Sequence, residues 1–185
     1  MEDTTLDVIG ILISAILLFF VPLFLVANRA DEVSQLVAQT ATSEFINEVI
    51  RDGKITSDNY QRLNTALVSS GITFDIDLEV KILDETTSKI VTDKDEEKIG
   101  NNSYYSIYTS QIEDKLGRDS EDSNNKQGKI ILKQGDQVSV TVKNNSKTLS
   151  QTLKSIYYNV IGDDEHIIVA TSAGTVAING STGTT

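Results

Sequence analysis

An α+β fold is predicted by three features of the sequence. An uncharged apolar run fills Val8–Ala27, a helical apolar spacing continues beyond it to Arg51, and one segment, Ile72–Leu83, alternates strictly between apolar and polar residues. Together they describe a long N-terminal helix, transmembrane in its first half and amphipathic in its second. That helix packs on a small antiparallel or mixed β-sheet domain that also carries a C-terminal helix. The expected organisation is a short segment at residues 1–7, a membrane-spanning helix at 8–27 and an α+β domain at 28–185.

The apolar run is twenty residues long. As a helix at about 1.5 Å per residue it covers roughly 30 Å, the thickness of a bilayer's hydrocarbon core. A secretory signal peptide opens instead on a basic stretch, whereas Glu2, Asp3 and Asp7 precede this run with no Lys or Arg. Leu25-Val26-Ala27 forms only a weak cleavage pattern. The nearest basic residues, Arg29, Arg51 and Lys54, all follow the run, which by the positive-inside rule argues for an outside N-terminus.

Beyond Ala27 the spacing of Val33, Leu36, Val37, Ala41, Phe45, Val49 and Ile50 predicts a buried helix face, with Asp31, Glu32, Gln35, Gln39, Glu44 and Glu48 opposite. One helix is therefore expected from near residue 6 to residue 51. Pro22, the sole proline, is expected to kink it rather than end it. Gly53 supplies the stop. A second helix follows, with Thr56 or Ser57 as N-cap, Asp58 in its first turn, Tyr60, Leu63 and Leu67 on one face and Gly71 as its C-terminal break.

In the alternating segment Ile72, Phe74, Ile76, Leu78, Val80 and Ile82 share one face, which predicts a strand covered on one side only. Residues 129–143 read as a hairpin turning at Gln134-Gly135-Asp136, with Val138, Val140 and Val142 inward. Ser146 is the expected N-cap of a helix bearing Leu149, Leu153, Ile156, Tyr157 and Val160 and closed by Gly162. Residues 165–178 form a final strand with a bulge or bend near Gly174, and 179–185 a flexible tail. The charged, Asn- and Ser-rich stretches within 84–128 predict a surface insertion, with the tyrosine-rich segment from Ser103 to Leu116 as a short strand or helix docked on the sheet.

Composition narrows the function. The formal charge of -11 repels nucleic acid and acidic lipid surfaces, so a nucleic-acid partner is not expected. The absence of cysteine removes thiol, redox and zinc-finger chemistry. His166 is the only histidine and reads as a partly exposed strand residue. No nucleophile elbow, zinc-binding helix, phosphate loop or dinucleotide fingerprint is present, and a Ser-Lys dyad has nothing to mark one serine from the others. The acidic runs Asp93–Glu97 and Asp119–Asp122 lack the glycine and glutamate of a calcium loop and read as solvated charge. No enzyme activity, cofactor or metal is expected.

A long helix, apolar then amphipathic, followed by a small α+β domain is the arrangement of type IV pilin-like proteins. Residues 45–80, FINEVIRDGKITSDNYQRLNTALVSSGITFDIDLEV, with GDQVSVTVKN and TLSQTL later, resemble the TadE-like minor pilins or pseudopilins of tight-adherence (Flp) pilus systems. The resemblance covers most of the chain outside the insertion and rests on pattern rather than on an invariant signature. It implies a single-pass membrane protein with its globular domain extracytoplasmic, whose apolar half-helix later packs in a filament core. Its partners would be other pilin subunits, as a homo- or hetero-oligomer, and the pilus assembly machinery. Family members carry a basic leader ending at Gly; none precedes Asp7 here, so either processing is absent or Met1 follows the cleavage point.

Within that resemblance Asp7, at the lip of the run, matches the family's acidic residue near the start of the helix. Its carboxylate would pair with the terminal ammonium of a neighbouring subunit, partly offsetting a burial cost of about 2.5–3.5 kcal/mol. The plainer reading keeps Asp7 in headgroup water, favoured by the helix dipole. Gly10, Ser14 and Ala15 are expected to form a small-residue surface for close helix approach, with Pro22 further along. The competing class is a non-polymerising single-pass protein with an extracytoplasmic binding, secretion or conjugation accessory domain. Such an anchor would end at the interface with an aromatic belt and a linker, whereas here the helical pattern runs on.

Overall fold

The computed structural model describes residues 2–83, 104–121, 128–158 and 168–180. Helix α1, Glu2–Asp52, is continuous through Pro22. Gly53 ends it at φ +61°, a left-handed conformation that glycine adopts without steric cost, and its N–H closes the last turn on the Val49 carbonyl at 2.9 Å. The two halves of α1 have different surroundings. From Thr4 to Val26 every side chain is exposed except Phe20 and Phe24, which are half-buried and stacked at 6.3 Å between ring centroids. From Ala27 onward Ser34, Ala38, Ala41, Thr42, Phe45, Ile46 and Val49 are buried, a stripe at three- and four-residue spacing. Val33 and Leu36, expected on that stripe, instead face outward.

Strand β1, Lys54–Thr56, leads into helix α2, Ser57–Ser69. Thr56 is its N-cap: its hydroxyl accepts from the Asn59 N–H at 3.2 Å, and the Asn59 side chain accepts from the Thr56 N–H at 2.9 Å. Leu63 and Leu67 are buried beside α1. Strand β2, Phe74–Leu83, is the predicted alternating strand. Strand β3, Tyr104–Tyr108, and helix α3, Thr109–Glu121, come next. These two are the docked strand and helix expected of the tyrosine-rich segment, but they form part of the core rather than of a surface insertion. β3 pairs with β2 from Tyr104↔Leu83 to Tyr108↔Glu79, and Ile112 and Leu116 of α3 lie in the hydrophobic core. Periodicity within an Asn- and Ser-rich stretch was masked by its flanks.

Strand β4, Lys129–Ile131, and strand β5, Gln137–Asn144, bracket the turn at Gln134-Gly135 but do not pair as a hairpin. β4 pairs antiparallel with β1, and β5 lies inside a second sheet of order β3-β2-β5-β6, where β6 is Val169–Thr175. Buried Asp136 diverts the chain: its carboxylate accepts from the Lys133 N–H at 2.7 Å and the Leu83 N–H at 2.9 Å. The Leu132 N–H donates to the Gly53 carbonyl at 2.8 Å, holding the chain after β4 against the end of α1.

All three pairings in the larger sheet are antiparallel. Their register stacks Ile76, Val142 and Ala170, then Leu78, Val140 and Ser172, then Val80, Val138 and Gly174 on one face. This is the core face, packed against α1 and α3, while the polar residues between face water. The β5–β6 register is unbroken from Lys143↔Val169 to Gln137↔Thr175, so the expected bulge at Gly174 is absent. Gly174 serves a close approach instead: a Cβ there would run into Ile50 of α1.

Helix α4, Leu149–Tyr158, has Thr148 rather than Ser146 as its N-cap. The Thr148 hydroxyl accepts from the Gln151 N–H at 3.1 Å, and the Gln151 side chain accepts from the Thr148 N–H at 2.9 Å. Asn179 and Gly180, expected in a flexible tail, are held: the Asn179 side-chain oxygen accepts from the Gln134 N–H at 2.8 Å, and the Gly180 N–H donates to the Leu132 carbonyl at 2.9 Å. Val160, Gly162, His166, the run Asp93–Glu97 and the tail beyond Gly180 lie outside the described residues.

Candidate functional site

The surface that stands out is the uncovered side of α1. Helix geometry at about 100° per residue places Asp7, Ser14, Leu18, Leu25 and Leu36 on one line within an arc of about 40°. Every one of them is exposed, so the line runs from the first turns to well inside the folded domain without being covered. Gly10 lies on one flank of this line and Ala15 and Pro22 on the other. The five expected interaction residues thus share one broad outward sector, but Gly10 and Ala15 do not form a single small-residue seam. Gly10 and Ser14, four residues apart, do face the same way. A Cβ at Gly10 would have no atom within 4 Å, leaving room for close approach by another helix.

This half of α1 is long and apolar enough to cross a membrane. Pro22 offers no N–H to the carbonyl of Leu18, one turn earlier, a deficit that hydrocarbon tolerates only if the helix adjusts locally.

Side-chain hydrogen bonds also fix α1 to the domain. The Ser150 hydroxyl donates to the Asn28 side-chain oxygen at 2.7 Å, and the Thr148 hydroxyl donates to Asp31 at 3.0 Å. The Gln35 amide donates to the Val169 carbonyl at 2.8 Å. Ser43 and Ser172 share a hydroxyl contact at 3.2 Å, with Ser172 also donating to Thr42 at 3.3 Å. These contacts position the helix along β6 and the start of α4 and were not singled out from sequence. Asn28 and Asp31, polar residues directly after the apolar run, were the available signal.

Elsewhere the described residues offer little chemistry. They hold no group of three or more His, Asp or Glu placed to take a metal, and no buried side-chain N or O among them lacks a partner. A groove between α1 and α2 is lined by Glu44, Glu48, Arg62 and Ala66, and there Arg62 pairs with Glu48 at 2.5 Å and with Asp58 at 3.3 Å. These pairs hold the Arg62 guanidinium above its usual range, and they tie α2 to α1.

No family model matches the chain, and no curated protein or solved structure matches it.

Proposed function

We propose that this protein is a membrane-inserted, pilin-like subunit of the TadE-like minor pilin or pseudopilin kind. It assembles through its N-terminal helix into a type IV-like surface filament or into the complex that primes one. The observation that carries the reading is the outward side of α1, where large apolar residues are still exposed past the apolar run: Leu36, at 62% exposure, on the line and Val33, at 54%, on its Ala15 flank. A lone anchor needs apolar surface only where lipid touches it. Here two more apolar residues, Val33 and Leu36, stay exposed beyond the charged pair Arg29 and Glu32 on a helix already fixed to the domain, as suits packing against neighbouring copies once lipid is left behind.

In this reading the domain lies outside the cytoplasmic membrane, and other pilin subunits and the assembly machinery are the partners. The test combines topology with assembly. Protease added to intact protoplasts should digest the domain, and the protein should co-fractionate with sheared surface filaments. Full protection from the protease overturns the orientation. Absence from every oligomeric fraction overturns assembly and leaves a single-pass anchored domain.

A further inference from the structure

Two hydrogen bonds fix the direction in which α4 runs along α1. Thr148 meets Asp31 and Ser150 meets Asn28, so the numbering falls on α1 as it rises on α4 and the helices are antiparallel. Leu153, one turn further along α4, is buried, as is Ala27 on α1. α4 therefore starts where the apolar run ends and heads back alongside it. Eight residues follow Ser150 in α4. At 1.5 Å each they reach about 12 Å past the Asn28 joint, more than the roughly 5–7 Å depth of one headgroup layer.

We propose that α4 enters the bilayer that receives Val8–Val26, with the outward face of its first turns among the lipid headgroups. This rests on the membrane-inserted reading above, and a bilayer covering that run has no way to avoid α4. The side chains of α4 suit such a place. The Thr152 hydroxyl donates to the Thr148 carbonyl at 2.9 Å and the Ser155 hydroxyl to the Thr152 carbonyl at 2.8 Å. With Thr148 and Ser150 bonded to α1, each of these four hydroxyls has a protein acceptor and does not depend on water. Leu149 and Thr152, three residues apart, are the exposed positions of its first turns.

Basic residues are present beside the contact. Arg29, Lys147 and Lys154 each adjoin a residue of this helix contact, in a chain with 27 acidic and 16 basic residues. Asp31 and Glu32 lie beside the same contact, and Lys154, half-buried, can lay its aliphatic stem on the helix while its ammonium reaches the headgroups.

The chain has no cysteine, so single fluorophores can be attached without background. Full-length protein would carry the label at Leu149→Cys, Thr152→Cys, Leu12→Cys or Thr171→Cys and be reconstituted into phosphatidylcholine–phosphatidylglycerol vesicles. Positions 149 and 152 should show blue-shifted emission, lose most of their quenching by aqueous iodide and be quenched by headgroup-placed spin labels. Position 12 should respond to mid-bilayer spin labels and position 171 to iodide alone. If 149 and 152 behave like 171 while 12 is deep, the interfacial assignment is overturned and membrane insertion stands. Shielding of 149 and 152 from both iodide and lipid quenchers means that protein covers α4, and this also overturns the assignment. A position 12 that behaves like 171 overturns insertion itself.

Discussion

Ile50 of α1 fills the space that a side chain on Gly174 of β6 would occupy. Ala170, Ser172 and Gly174 alternate along β6 on the core face, and their small size lets α1 lie close over this edge strand. Gly174→Ala should therefore destabilise the domain by about 1–3 kcal/mol, as expected for overpacking. Ile50→Ala in the same chain should recover part of that loss. Denaturant melts of the two single variants and the double variant in detergent check this: additive effects would mean that the two residues do not share the contact.

The core position of α3 leads to a second expectation. Replacing residues 85–127 by a short Gly/Ser linker should abolish the cooperative thermal transition, because β3, Ile112 and Leu116 go with it. Ile112→Ala alone should cost about 2–5 kcal/mol, the range for truncating a buried aliphatic side chain. A linker variant that still melts cooperatively would show that the sheet and α1 hold together without α3.

The elements that were legible in the sequence are those whose burial has a simple period. Ile76, Leu78 and Val80 alternate against charged neighbours, and β2 was read within two residues of its start. The join of apolar run and amphipathic segment into one helix followed from the absence of any breaker before Gly53 except Pro22. What was not legible depends on long-range partners. Lys129–Ile131 looks like half of a hairpin, yet its partner is Lys54–Thr56, and Asp136 sets that choice through hydrogen bonds that no local pattern reveals. Gly174 likewise reads as a bulge, because sequence shows a missing side chain but not the Ile50 that requires it. On α1 the sequence shows that Val33 and Leu36 are apolar; which face the domain leaves uncovered depends on where β6 and α4 dock.

Tyr60 on α2 donates its hydroxyl hydrogen to Glu113 on α3 at 2.6 Å. Burial, then the hydrogen bond and negative charge of Glu113, push the Tyr60 hydroxyl well above its ordinary 10.0. A group whose folded-state value is raised stabilises the fold fully below its unfolded value and loses that contribution as pH rises above it. Tyr60→Phe should cost about 0.5–1.5 kcal/mol at neutral pH through the lost hydrogen bond. The gap between wild type and variant should then shrink once the pH passes about 10. Denaturant melts at neutral and strongly alkaline pH measure it; a constant or widening gap would refute the coupling.

The last expectation concerns the outward line of α1. Leu36→Asp and Val33→Asp change exposed positions, so each should alter domain stability by no more than about 0.5 kcal/mol. Both should abolish co-fractionation with surface filaments, because a carboxylate in a dry helix interface has no partner and repels its copy on the neighbouring chain. Gly10→Leu and Asp7→Ala test the other end of the same sector. Neither lowers the hydrophobicity of the run, so both should insert in the membrane at wild-type levels. Gly10→Leu fills the open surface that permits close approach, and Asp7→Ala removes the carboxylate at the start of the line, so both should drop out of assemblies. A solitary anchor would be indifferent to all four changes. The comparison is the ratio of filament-bound to membrane-bound protein for each variant. Wild-type ratios for Leu36→Asp and Gly10→Leu together would sink assembly through this helix, whereas loss for Leu36→Asp alone would confine the contact to the domain-proximal half.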